Sequence, residues 1–194
     1  MVLLDRRESS NEFTMDNGVP LAISKAIKTV DISACKYSAD TTSYGGHTFL
    51  INSAGKYMVW YSGTDGTNFR ILYTESSDLK TWSAPVIAID KGIAGSNNSV
   101  ECKDPFILKE TDSLFRLYFT AGDGTNQRIV YSESADSGKT WSTPVLAIDV
   151  LAGSAYSTNA FAPTVVKETD GTYNMWFDGY NGSKYTTMFG TILS

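Results

Sequence analysis

The chain repeats itself, and that repeat limits the folds open to it. The stretch Lys56-Tyr57-Met58-Val59-Trp60-Tyr61-Ser62-Gly63-Thr64-Asp65-Gly66-Thr67-Asn68 recurs 58 residues later as Leu114-Phe115-Arg116-Leu117-Tyr118-Phe119-Thr120-Ala121-Gly122-Asp123-Gly124-Thr125-Asn126. The match continues through Arg70 and Arg128, Tyr73 and Tyr131, and Glu75 and Glu133; a one-residue insertion then separates Trp82 from Trp141 by 59. A third copy opens at Ala162-Pro163-Thr164-Val165-Val166, matching Asp104-Pro105-Phe106-Ile107-Leu108, and runs on through Lys167-Glu168-Thr169-Asp170 and residues 173–182. Repeats of this kind are single supersecondary units that bury their apolar faces by stacking on one another.

Each full copy reads as four short strands, A to D, at 47–51, 57–62, 69–75 and 85–89 in the first. They are rich in aromatic and β-branched residues and separated by Gly, Asp, Asn and Ser. Met58-Val59-Trp60-Tyr61 is apolar on both faces, as a sheet packed between two others requires. The expected fold is therefore all-β, a β-propeller with three four-stranded blades per chain. Its boundaries are an N-terminal closing strand (1–24), a connecting face loop (25–46), and blades at 47–103, 104–161 and 162–194, the last without its outer strand. Composition agrees: aromatics make up 12% of the 194 residues, with 16 glycines and 5 prolines.

The missing outer strand has a counterpart at the other end. Gly18-Val19-Pro20-Leu21-Ala22-Ile23-Ser24 parallels the strand D segments that begin at Ser83 and Ser142, and Glu8-Ser9-Ser10-Asn11 echoes Glu75-Ser76-Ser77-Asp78. Three blades are fewer than the roughly 4–8 of an ordinary propeller. The sequence therefore predicts self-association: a six-bladed homodimer in which residues near 8–24 of each chain complete the last blade of the other about a two-fold axis.

Ser134-Ala135-Asp136-Ser137-Gly138-Lys139-Thr140-Trp141 matches the Asp-box of sialidase-type propellers, and Ser76-Ser77-Asp78-Leu79-Lys80-Thr81-Trp82 is a one-residue-shorter version. With the Asp-Pro that opens strand A of the second copy, these segments resemble glycosidase propellers of the arabinanase and levanase type. The resemblance implies that Ser76, Asp78, Trp82, Ser134, Asp136, Gly138 and Trp141 are structural. It also implies an active face formed by the start of strand A, the B–C turns and the D–A segments.

That face collects the candidates. Asp104 and Glu101 are the carboxyl groups considered for catalysis; His47, Lys103, Asp104, Tyr156, Asn159, Phe161, Asp178 and Tyr180 are the candidates for ligand contact. Glycosidases of this kind need two carboxyl groups at a set separation. The resemblance places acids at successive strand A starts, here matched to His47, Asp104 and Ala162, so one carboxylate remains. The resemblance also allows an axial histidine to help hold calcium; beside that stands the reading of His47 as a hydrogen-bonded channel residue, and no cofactor is assigned. Trp60, Tyr118 and Trp176, equivalent in the three copies, are read as core between blades.

A net charge of −5 argues against nucleic-acid binding, and no apolar run is long enough to insert in a membrane. Charges at Asp5, Arg6, Arg7 and Glu8 stand where a signal peptide carries its apolar core, which reads as a cytoplasmic or virion-assembled protein. Cys35 and Cys102 read as free thiols, with a single disulfide as the alternative. The sequence alone favours a noncatalytic recognition or structural module, carbohydrate-binding, of the kind found in a virion or tail. The alternative is a glycoside hydrolase acting on arabinan-, fructan- or sialoside-type glycans.

Overall fold

The computed structural model describes residues 5–7, 12–14, 20–22 and 42–192. All regular structure among them is β. Three short strands, β1 (Asp5–Arg7), β2 (Glu12–Thr14) and β3 (Pro20–Ala22), pair antiparallel in that order. The rest forms one curled sheet of 11 strands: β4 (Thr42–Ile51), β5 (Tyr57–Thr64), β6 (Phe69–Ser76), β7 (Val86–Ile89), β8 (Glu101–Lys109), β9 (Phe115–Gly122), β10 (Gln127–Ser134), β11 (Val145–Ile148), β12 (Asn159–Lys167), β13 (Tyr173–Tyr180) and β14 (Tyr185–Ile192). Among the described residues no helix is long and apolar enough to cross a membrane.

The sequence repeat reappears as three antiparallel meanders, β4–β7, β8–β11 and β12–β14. Adjacent meanders touch through one parallel bridge each, Phe69 with Glu101 and Gln127 with Asn159. Strand A of each copy begins earlier than its sequence suggests, at Thr42, Glu101 and Asn159. A register break interrupts it, between Gly45 and His47, Lys103 and Phe106, and Phe161 and Thr164. The residues flanking that break read as loop because a bulge disturbs the period-two pattern. Glu101, Lys103 and Asn159 are thus strand residues rather than parts of the preceding connections.

The core lies between meanders. Trp60, Met58 and Ile71 of the first pack with Ile107, Phe115, Leu117 and Phe119 of the second. Tyr118 and Ile129 of the second pack with Val165, Tyr173, Met175 and Phe177 of the third. Trp60 is fully buried and meets Tyr73, Phe115 and Trp141 at ring-centroid distances of 5.1, 6.4 and 6.2 Å, the last two edge-on. Each such pair contributes about 0.5–1.5 kcal/mol beyond area burial. Trp60 and Tyr118 fill core as their repeat position predicts; Trp176 is 43% exposed.

The turn after β10 shows why its residues are fixed. Asp136 Oδ1 accepts the N–H groups of Lys139 and Thr140 at 3.0 and 2.9 Å, and its Oδ2 accepts the Thr140 hydroxyl at 2.7 Å. Ser134 Oγ donates to Asp136 at 2.7 Å and accepts from Gly138 N–H at 2.8 Å. These bonds, that from the Thr140 hydroxyl first, hold the Asp136 carboxyl well below the usual carboxylate range. The turn after β6 repeats the arrangement with Ser76 and Asp78. Trp82 and Trp141 follow the two turns, each partly buried. Arg70 and Arg128 do the same work twice over: each bridges its B–C turn aspartate (Asp65, Asp123) and the residue after its strand D (Asp90, Asp149) at 2.7–2.9 Å.

Cys102 is a free, buried thiol, pushed up to about 12 by desolvation; Cys35 lies outside the described residues. Of the expected closing segment, residues 20–22 pair with β2 and not with β14 of the same chain. Most of 1–24 and most of 25–46 also lie outside the described residues.

Gly138 has φ of +85°, and a Cβ there would stand 2.9 Å from Trp60 Cζ2; Gly171, at +89°, has open space around it. Both Gly→Ala substitutions should cost about 1–2 kcal/mol for the left-handed backbone. Gly138→Ala should cost more, because the added methyl also displaces the core indole, and urea unfolding of the two variants measures the difference.

Candidate functional site

The bulges in the three A strands place one residue each in the left-handed region: Gly46, Asp104 and Ala162, with φ of 51, 52 and 54°. This geometry shifts the sequence alignment by one. Gly46, rather than His47, is the counterpart of Asp104; His47 corresponds to Pro105 and Pro163. The expectation of one carboxylate among three equivalent positions stands, but its first member changes. Aspartate tolerates this conformation better than most residues, whereas Ala162 there costs about 1–2 kcal/mol.

Hydroxyls from strand B hold the bulges together across meanders. Ser62 Oγ accepts the N–H of Asp104 at 2.9 Å and donates to the carbonyl of Gly46 at 3.4 Å. Thr120 Oγ1 accepts the N–H of Ala162 at 2.9 Å and donates to Asp104 Oδ2 at 3.1 Å. A hydroxyl suits this place because it donates and accepts at once. Gly46 is required as well: a Cβ there would lie 2.8 Å from Asp104 Oδ1.

Asp104 opens on a cleft of about 410 Å³ lined by Lys103, Asp104, Gln127, Asn159, Phe161, Ala162 and Tyr185. Burial raises the Asp104 carboxyl above the ordinary aspartate value; the Lys103 charge and the Thr120 hydrogen bond oppose the rise, and the Glu101 charge adds to it. Glu101 is held by Lys103 Nζ at 3.1 Å and by Gln127 Nε2 at 2.6 Å. It lines an adjoining cleft of about 220 Å³ that shares Gln127 and Asn159. Asn159 fixes that wall by accepting the Gln127 N–H at 2.9 Å.

Four sequence candidates, Lys103, Asp104, Asn159 and Phe161, meet in the larger cleft, with Glu101 beside it. Tyr180 stands next to it through Tyr185, whose ring stacks on Tyr180 at 4.5 Å and meets Phe161 edge-on at 6.1 Å. Tyr156 turns inward instead and packs against Phe177 at 5.4 Å, beside the second core cluster. Asp178 accepts the Thr187 hydroxyl at 3.1 Å and is not among the cleft residues. His47 is exposed and pairs with Tyr61 across the sheet. Calcium takes six to eight oxygen ligands. Among the described residues no three His, Cys, Asp or Glu side chains gather to hold a metal.

Sequence reasoning missed Gln127 and Tyr185. Both open a strand C, at equivalent positions with Phe69, and the aromatic residue at Tyr185 was the available signal.

No family model and no curated protein matches the chain. Solved structures do. A family 117 glycoside hydrolase from the marine bacterium Zobellia galactanivorans is 16% identical with a TM-score of 0.66, over 80% of this chain and 54% of its own. An endo-arabinase from Bacteroides thetaiotaomicron is 15% identical with a TM-score of 0.58, over 95% and 66%. An endo-1,4-beta-xylanase from the same organism is 13% identical with a TM-score of 0.58, over 100% and 74%. The chain spans about half the length of the first of these. Such enzymes have β-propeller folds, and the curled, helix-free sheet of this chain is that of a partial β-propeller. The likeness is one of fold.

Asp104 binds its proton more tightly folded than unfolded. The native state therefore gains stability from it below the ordinary aspartate value of about 3.9, and loses that gain as pH rises through the raised folded value. Asp104→Asn, whose amide oxygen still accepts from Thr120, should be more stable than wild type at pH 7. The advantage should shrink as pH falls towards 3.9, which melting temperatures across that interval measure.

Proposed function

We propose that this chain is a glycan-cleaving propeller of the glycoside hydrolase type, and that Asp104 is its proton-holding carboxyl group. The observation that carries the reading is the placement of Asp104. It projects from a left-handed bulge into an open cleft, hydrogen-bonded by Thr120 and with its proton affinity raised by burial. A carboxyl group whose proton affinity is raised above the ordinary aspartate value is what protonation of a glycosidic oxygen draws on. Glu101, held between Lys103 and Gln127 in the adjoining cleft, is the second carboxyl group, in the role of base or nucleophile. Tyr185 and Phe161 offer ring faces to a sugar, and Lys103, Gln127 and Asn159 offer donors to its hydroxyls. Structural likeness to a family 117 glycoside hydrolase, an endo-arabinase and an endo-1,4-beta-xylanase supports this over the noncatalytic reading.

In the same reading the three meanders are three blades, and the turns after β6 and β10 are Asp-boxes that stabilise the sheet. A second reading keeps the glycan and drops the chemistry: Gly46 and Ala162 occupy the two positions equivalent to Asp104, and neither carries a carboxylate.

A panel of chromogenic arabinosides, xylosides, fructosides and sialosides separates the two. Hydrolysis that falls about 10²–10⁴-fold in Asp104→Asn, with a comparable fall in Glu101→Gln, supports cleavage. Glycan binding without product, weakened by Tyr185→Ala and unchanged in Asp104→Asn, supports recognition alone.

A further inference from the structure

The third meander carries a face that the first two bury. In the first, Trp60 and Tyr73 pair at 5.1 Å; in the second, Tyr118 and Tyr131 pair at 5.6 Å; in the third, Trp176 and Phe189 pair at 4.9 Å at the same repeat positions. The next meander covers Trp60 and Tyr118, which are 0% and 1% exposed. Trp176 and Phe189 are 43% and 56% exposed. The opposite face of the first meander is the mirror case. Ile107 and Val165 are 8% and 2% exposed against the preceding meander, while their counterpart Phe49 is 66% exposed.

The polar contacts make the same point. Ser62 and Thr120 each accept the bulge N–H of the following meander. Their counterpart in the third meander is Asp178, an acceptor whose Oδ1 takes the Thr187 hydroxyl. The bulge N–H that continues this series belongs to Gly46, which shares the left-handed φ of Asp104 and Ala162.

We propose that a second copy of this chain docks head to tail here. The Trp176–Phe189 face of one copy receives the Phe49 face of the other, and Asp178 accepts the N–H of the other copy's Gly46. The occupant follows from the repeat, because the chain already makes this contact twice within itself and displays both halves of a third. Two such junctions related by a two-fold axis close a ring. The closed pair presents two Asp104 side chains around one axis. The inference holds whether the cleft cleaves glycans or only binds them.

Sedimentation velocity on the full chain tests it, with circular dichroism to confirm folding. Wild type should sediment at twice the chain mass. Trp176→Asp and Phe49→Asp, both at exposed positions, should each sediment at the mass of one chain with an unchanged spectrum. An equimolar mixture of the two variants should recover a two-chain species, because each mixed pair keeps one junction with both aromatic faces intact. Asp178→Leu should weaken the pair about tenfold or more, and Asp178→Asn should restore it. A wild-type chain at single mass overturns the inference. So does a two-chain mass insensitive to Phe49→Asp, or a mixture that stays at single mass. None of these readouts uses glycan turnover, so failure here is separate from failure of the glycan reading.

Discussion

Stacking of one apolar sheet face on the next is the interaction that the rest of the molecule depends on. Each meander is too thin to enclose a core, so its aromatic residues are buried only when another meander lies against them. Trp60 shows the dependence directly: its indole is covered by Phe115 and Trp141, both from the following copy. The turn that ends in Trp141 is held by Ser134 and Asp136, and Gly138 is the residue that lets this turn approach the indole. Local turn chemistry and packing between meanders are thus one structure.

The cleft exists because of the same stacking. Bulges in successive A strands come together, and Ser62 and Thr120 tie each to the next. The bulge turns the Asp104 carboxyl to the cleft, and burial there raises its proton affinity. Thr120 links the two levels, since the hydroxyl that holds Ala162 in place also donates to Asp104.

Much of this was legible in the residues. The four-strand pattern and the repeat-equivalent core positions Trp60 and Tyr118 follow from periodicity and composition. The grouping of Lys103, Asp104, Asn159 and Phe161 follows from strand alternation, which brings A-strand starts to one end. What was not legible has a local cause. A left-handed residue inside a strand breaks the alternation that marks strands, so the residue pattern alone places the starts of β4, β8 and β12 after their bulges. The same break moved His47 into the place of Gly46. Tyr156 looked like a free aromatic on a polar segment, yet Phe177 gives it a partner from a strand distant in sequence.

The sequence by itself determined that the chain is a repeated β unit, where its turns fall, and that one of three equivalent positions carries a carboxyl group. These are properties of short stretches, set by backbone preference and side-chain pattern. Only the tertiary structure decided that Asp104 sits on a left-handed bulge facing Thr120, that Gln127 and Tyr185 share its cleft, and that Trp176 lies open while its two counterparts are covered. Such properties depend on which surface lies against which, and a neighbour's desolvation and hydrogen bonds are not written in the residue they act on.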